Sequence, residues 1–210
     1  MIRVLIADDH PIVRNGLRQI LTESPDIVVA AEAANGQEAL RLIGTQAFDV
    51  ILLDVTMPVL GGLEVLTQVK AQYPKLPVLM LSGLAENELA VRVLRAGGAG
   101  FLNKELAPEE LIGAIRHVAG GRKYISPAVA ELLAESLEKG SEPPHASLSS
   151  REYQVMCFIA AGKTVTEIAD LAGISVKTVS TYRTRILEKM KLRNNAELMV
   201  YAVRNGLVDT

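Results

Sequence analysis

Short runs of Val, Ile and Leu recur through the first half of the chain, each followed by a stretch in which apolar residues return every three or four positions. Ile2–Ala7, Ile27–Ala33, Val50–Leu53, Val78–Ser82 and Gly100–Leu102 are the runs. They are apolar almost throughout, the pattern of strands covered on both faces of a parallel sheet. Helices are predicted near Pro11–Thr22, Gly36–Gly44, Gly61–Gln72, Glu86–Ala96 and Pro108–Ala119. Val13, Leu17, Ile20 and Leu21 form one helical stripe, and Leu63, Leu66, Val69 and Lys70 another. Pro108 suits the first turn of its helix. Five strand–helix units in series predict an α/β fold, a doubly wound five-stranded parallel sheet. Right-handed crossovers put its helices on both faces.

The pattern changes after Gly121. Ser126-Pro127 precedes a short helical stretch, Ala128–Leu133, and Lys139–Ser147 contains Gly140 and the pair Pro143-Pro144. Gly and paired Pro break helix and strand alike, so this segment reads as a linker. Everything beyond it reads as helix. Ser149 and Glu152 have capping-box spacing and start a helix that runs to about Ala161. Thr164 opens a second, ending near Ala172-Gly173; Ser175 caps a third, running to about Lys191; Asn195 caps a fourth, to about Arg204. The expected division is residues 1–121 for the α/β domain, 122–147 for a helical extension and linker, and 148–210 for a small all-α domain.

Two of the predicted strands end in acid. Ile2–Ala7 stops at Asp8-Asp9, and the run through Leu53 stops at Asp54. Ligands of such sheets sit outside the carboxyl ends of the strands, and in the doubly wound order the first and third strands are neighbours. Three carboxylates then share one crevice. That chemistry suits Mg²⁺, which takes one or two carboxylates and keeps waters. It also suits a phosphoryl group, since a carboxylate can serve as nucleophile and form an aspartyl-phosphate. Asp54 is the expected nucleophile, because a loop rather than a helix follows it. Lys104, after the fifth strand, would supply a cation opposite the metal, and Ser82, at the tip of the fourth, a hydroxyl for a phosphoryl oxygen. Each residue alone has an ordinary explanation: a helix cap for Asp8 or Asp9, a turn for Ser82-Gly83, a solvated charge for Lys104, core filling for Phe101. Their arrangement on successive strand ends is what points to a site.

Composition narrows the class. The chain has 210 residues, 49% of them hydrophobic, and a net charge of −2. No apolar run is long enough to span a bilayer, and the first residues enter a strand directly without the layout of a signal peptide. A cytoplasmic address and no membrane partner are expected. Cys157 is the single cysteine, which rules out an intrachain disulfide. His10, His117 and His145 are scattered, so a zinc site is not expected. Ser147–Thr210 carries nine Lys and Arg against six Asp and Glu, a net +3 that contrasts with the acidic remainder. A basic segment on an acidic chain points to a polyanion.

Within that segment, Thr164–Met190 reads as helix, turn, helix, with Ile168, Ala169 and Leu171 facing inward and Gly173 at the turn. In the next helix Val176, Val179, Ile186, Leu187 and Met190 share one face. Lys177, Ser180, Thr181, Thr184 and Glu188 occupy the other. A packed back and a short polar front fit a major groove. Lys177, Arg183, Arg185, Lys189 and Lys191 are placed for phosphates. Arg183 lies near the apolar phase, with its stem placed to pack and its head to snorkel out. On pattern alone, a helical dimerisation or docking module remains the alternative.

The N-terminal residues resemble a receiver domain of two-component response regulators. The resemblance rests on Asp8-Asp9-His10-Pro11, Leu53-Asp54 with Met57-Pro58 and Gly61-Gly62, Leu81-Ser82, and Ala96-Gly97 through Phe101-Leu102-Asn103-Lys104. The C-terminal residues resemble a LuxR-type helix-turn-helix through Leu148–Glu152, Gly162-Lys163, Glu167–Ala169, Ser175–Val179 and Leu187–Met190. Together they indicate the NarL/FixJ class over nearly the whole chain. The resemblance implies a histidine kinase that phosphorylates Asp54, and Mg²⁺ held by Asp8, Asp9, Asp54 and the Thr56 carbonyl. It also implies a switch pair, Ser82 and Phe101, and, when phosphorylated, a homodimer on double-stranded DNA. The implied DNA-facing set is Lys177, Thr178, Ser180, Thr181, Arg183, Thr184, Arg185 and Lys189. Glu105 follows the lysine where many receivers have Pro, and the front of the third helix departs from several relatives, so their operator does not transfer. Two rivals are a phosphotransferase or phosphatase with Asp54 as nucleophile, and a phosphorylation-independent DNA binder. Thr56 stands where such an enzyme would place a general acid, and the intact acidic set argues against a vestigial receiver.

Overall fold

A computed structural model describes residues 1–83, 87–104, 107–126, 129–131, 134, 143–205 and 207–208. The chain forms two compact units, Met1–Glu138 and Lys139–Thr210.

In the first unit, β1 (Ile2–Ala7), β2 (Ile27–Ala33), β3 (Val50–Asp54), β4 (Val78–Ser82) and β5 (Gly100–Asn103) alternate with α1 (Pro11–Thr22), α2 (Gly36–Thr45), α3 (Gly62–Gln72), α4 (Asn87–Arg95) and α5 (Pro108–Ala119). The strands pair in parallel in the order β2-β1-β3-β4-β5. The alternation of each strand divides the core. Leu5, Ile51, Leu53 and Met80 face Leu42, Ile43, Val65, Leu66 and Val69 of α2 and α3. Val4, Ile6, Leu52, Leu79 and Leu81 face Leu17 and Leu21 of α1 and Leu111, Ile115 and Val118 of α5. Burial on both faces is why the strands read as continuous apolar runs rather than alternating ones.

Residues beyond Gly121 stay with this unit. Tyr124 forms a parallel bridge to Gly100, and Val129 packs on Ala90 and Leu94 of α4. Of the helix expected over Ala128–Leu133, residues 129–131 are helical and the others lie outside the described residues, as do the start of the fourth helix at Glu86, residues 139–142 of the expected linker, Gly206, and Glu105 with its bond to Lys104. The described end of the expected linker is not irregular. Pro144–Ser147 is a 3₁₀ helix, and His145 within it is buried, its Nδ1 2.7 Å from the Tyr201 hydroxyl. Pro at the first turn is compatible with that helix.

The second unit consists of α6 (Ser150–Ala160), α7 (Val165–Ala172), α8 (Val176–Met190) and α9 (Asn195–Arg204). Complete capping boxes start α6 (Ser149, Glu152) and α7 (Thr164, Glu167). Ser175 caps α8 by accepting from the Thr178 amide. Asn194, not Asn195, caps α9. Gly173 ends α7 in the left-handed region at φ 63°, a conformation glycine adopts without a Cβ penalty. Two inward assignments are corrected. Leu171 is 58% exposed and Val176 48% exposed. Ile168, Ala169 and Ala172 form the packed face of α7, and Leu171 is turned about 100° from Ala172, off that face. Val176 begins α8, ahead of the buried series Val179, Ile186 and Met190.

Candidate functional site

Register explains why the acidic residues meet. Ala7 pairs with Leu53, so Asp8 and Asp54, each the next residue, emerge side by side. Ser82 pairs with Asn103, which brings Lys104 to the same edge, and the Lys104 amide donates to the Ser82 carbonyl at 2.7 Å. The loop after Asp54 returns tightly, since a Cβ on Gly62 would collide with the Asp54 carbonyl oxygen. Only glycine allows α3 to begin that close to the strand.

Asp8 and Asp54 are buried, at 0% and 2% exposure. Lys104 Nζ lies 2.7 Å from Asp8 Oδ2 and 2.9 Å from Asp54 Oδ2. The Thr56 amide donates to Asp54 Oδ1 at 3.1 Å. Burial raises the Asp54 carboxyl from 3.8 to about 6. The charge of Asp8 adds to the rise, and Lys104 and the Thr56 amide oppose it. Burial also works against the Lys104 ammonium, but Asp54 and Asp8 outweigh it and hold Lys104 above its ordinary value.

Asp8, Asp9, His10 and Asp54 each offer a ligand atom, all within 4.8 Å of one another. His10 was not expected here; its ring nitrogen Nδ1 is 2.9 Å from Asp9 Oδ1 and 3.2 Å from Asp8 Oδ1. Adjacency to Asp8-Asp9 was the signal available in the sequence. Asp8 does not cap α1, because its Oδ1 accepts from the His10 amide ahead of the helix at 2.8 Å. Oxygen atoms Asp8 Oδ2, Asp9 Oδ1 and Asp54 Oδ2 are shielded from solvent. Three carboxylates face one ammonium, and the surplus negative charge on oxygen donors fits a hard divalent cation.

Around this centre, Ser82 is buried at the end of β4 and Phe101 half-buried on β5. Phe101 packs against both the sheet core and the Ala90, Leu94 and Val129 cluster. The loop between Asp54 and α3 holds one strained residue that the sequence did not signal. Val59 has φ 69° and is 82% exposed; a β-branched residue rarely enters the left-handed region.

On the second unit, Lys177, Ser180, Thr181, Thr184, Arg185 and Glu188 are exposed along α8, and Thr178 is half-buried. The hydroxyls of Ser180, Thr181 and Thr184 donate to the carbonyls of Val176, Lys177 and Ser180 at 3.0, 3.0 and 3.2 Å. Two of the expected phosphate-binding cations have partners inside the unit. Arg183 Nε donates to Asn195 Oδ1 at 2.7 Å. Lys189 Nζ lies 2.6 Å from the buried carboxylate of Glu152. Burial tends to raise Glu152, but Lys189 and Ser149 together bring it below its ordinary value.

A five-stranded parallel sheet with carboxylates and a lysine at its ligand end, followed by a helix-turn-helix unit, is the architecture of a response regulator. The chain belongs to that family, in its NarL/FixJ class. Residues 4–116 match the response regulator receiver domain and residues 146–202 the luxR family of bacterial regulatory proteins. It is 41% identical over 209 residues to the response regulator UvrY of Escherichia coli, covering 99% of this chain and 96% of the relative. It is 39% identical over 211 residues to the response regulator GacA of Pseudomonas aeruginosa, covering 100% and 99%. Among solved structures, RcsB from Salmonella enterica serovar Typhimurium, bound to promoter rprA in the presence of phosphomimetic BeF3−, matches with a TM-score of 0.61 and 26% identity. That match covers 95% of this chain and 97% of RcsB. No helix among the described residues is long and apolar enough to cross a membrane.

Proposed function

We propose that Asp54 accepts a phosphoryl group from a histidine kinase, and that the phosphorylated chain controls transcription by binding promoter DNA through α8. The observation that carries the reading is the Lys104 ammonium set between two buried carboxylates, 2.7 Å from Asp8 and 2.9 Å from Asp54. A carboxylate oxygen of Asp54 attacks phosphorus, the bond to the donor's histidine nitrogen breaks, and an acyl phosphate remains. Lys104 then has phosphoryl oxygens to pair with, and the Ser82 hydroxyl donates to another. The added charge draws on residues of β4 and β5, and a shift of Ser82 with Phe101 carries the change to the surface beside α4. Asp8, Asp9, Asp54 and the Thr56 carbonyl would hold Mg²⁺, which would supply neutralisation of charge on the transferring group.

Thr56, two residues after the acceptor, offers no carboxyl as a general acid, which favours a regulator over an enzyme that turns over a substrate. The domain division is the receiver over 1–121, the extension and linker over 122–147 and the reader over 148–210. The DNA-facing residues are Lys177, Thr178, Ser180, Thr181, Thr184 and Arg185, with Arg183 and Lys189 placed behind them by their internal partners. A homodimer, supported by the exposed apolar side chains Met199, Val200 and Val203 on α9, would set two such helices roughly 34 Å apart. The cytoplasm is the compartment in which kinase, chain and DNA meet.

Incubation with acetyl phosphate and Mg²⁺ followed by intact-mass measurement tests the acceptor. One phosphate is expected on the wild type and none on Asp54→Ala; equal labelling of both would refute the assignment.

A further inference from the structure

The front of α8 has an unusual balance of hydrogen-bonding capacity. A hydroxyl has one proton to give and two lone pairs. At Thr181 and Thr184 the proton is given to a carbonyl of the same helix, because a carbonyl can only accept. Ser180 does the same. What these exposed side chains offer to a partner is therefore lone pairs and, from the two threonines, methyl groups. Glu188, exposed on the same side, is acceptor-only when ionised. Lys177 and Arg185 lie beside them and keep their cationic donors exposed. At 100° per residue, Lys177, Thr181, Thr184 and Glu188 lie opposite the buried series Val179, Ile186 and Met190, so they form the outermost strip of the helix.

The major-groove edges of the bases sort sharply against such a strip. Guanine presents two acceptors, N7 and O6, which face lone pairs without a donor between them. Adenine presents the N6 amino donor, and its partner thymine presents the C5 methyl. An A·T pair satisfies both properties of a back-bonded threonine, while a G·C pair offers the cytosine N4 donor but no methyl, and guanine itself offers neither, so the methyl contact is what separates the two pairs. Resting on the DNA-binding reading above, we infer that Thr181 and Thr184 are specificity-determining residues that select A·T pairs. They do so through thymine methyl contacts and acceptance from adenine N6, and guanine contacts fall to the flanking Lys177 and Arg185.

The test uses the full chain, phosphorylated with acetyl phosphate. Duplexes are selected from a random pool, and each thymine of the enriched half-site is then replaced in turn by deoxyuridine, which lacks only the methyl. Loss of about fourfold in affinity is expected at one or more central positions, which is what burial of one methyl is worth. The loss should disappear in the double variant Thr181→Ser, Thr184→Ser, which keeps both hydroxyls and deletes both methyls. An enriched half-site indifferent to deoxyuridine, or one equally sensitive in the double variant, overturns the inference and leaves DNA binding standing. Failure to enrich any duplex removes the DNA-binding reading itself, and the inference with it.

Discussion

Asp54→Asn should stabilise the first unit at neutral pH in the absence of divalent cations. The reason is the cost of keeping an ionised carboxylate inside the crevice. Burial and the neighbouring Asp8 raise the Asp54 carboxyl from 3.8 to about 6 despite Lys104. At ~1.4 kcal/mol for each tenfold change in proton affinity, that rise corresponds to roughly 3 kcal/mol. Below pH 4 the group is protonated in the native and unfolded chain alike, and no cost arises. Between about pH 4 and 6 the unfolded chain releases its proton first, so native stability falls as pH rises. Above pH 6 the full cost is present. Asparagine keeps the shape and cannot ionise, so the variant should gain up to about 3 kcal/mol at pH 7.5 and almost nothing at pH 4. Urea-dependent hydrogen exchange of β1 and β3 amides, in EDTA and read by mass spectrometry, follows the opening of this unit separately from the helical one. Mg²⁺ should then stabilise the wild type more than the variant, by about 2.7 kcal/mol at a hundred times its dissociation constant. No gain at pH 7.5, or an equal gain at pH 4, would refute the electrostatic account of the crevice.

Val59→Gly should raise the stability of the first unit by about 0.5–1 kcal/mol in the same exchange measurement. The left-handed conformation costs a side-chain-bearing residue about 1–2 kcal/mol, and glycine's greater unfolded freedom takes back part of the gain; a loss of stability would show that the loop is not strained. Lys189→Ala should destabilise the helical unit by about 1–3 kcal/mol at pH 7, because it removes the ammonium from the buried Glu152 carboxylate and leaves the Ser149 amide donating to it. Glu152 lies below its ordinary value of 4.5, so its contribution is present above that pH and lost as pH falls through the native value. The gap between wild type and variant in thermal melts should close in acid. A pH-independent gap would mean that Lys189 acts by packing alone.

The sheet was readable because burial on both faces writes strands as uninterrupted apolar runs. Three strands have the expected bounds, and β3 and β5 each extend one residue, to Asp54 and Asn103. The meeting of Asp8, Asp54 and Lys104 was readable for a related reason: parallel strands in this order must place their carboxyl ends along one edge. The helical unit was less legible at side-chain level. Leu171 and Val176 are apolar but exposed; the eight residues of α7 give a weak estimate of which way its face points, and Val176 is the first residue of α8, ahead of its packed series. The pair Lys189–Glu152 joins helices 37 residues apart, and Arg183–Asn195 crosses the turn between consecutive helices, 12 residues apart. Nothing local distinguishes those cations from free ones. His10 was visible beside the acids but has no recurring spacing, and Val59 in a left-handed turn contradicts its own residue preference.

All of α6 to α9 begin on a side-chain cap: Ser149, Thr164, Ser175 and Asn194. By contrast α1, α3 and α5 start without one. At ~1 kcal/mol each, such start signals are carried inside the helical segment and borrow nothing from the sheet. A segment of that kind is portable. Gene fusion behind a different sensor should leave those helix starts unchanged, because every cap lies within the segment that moves.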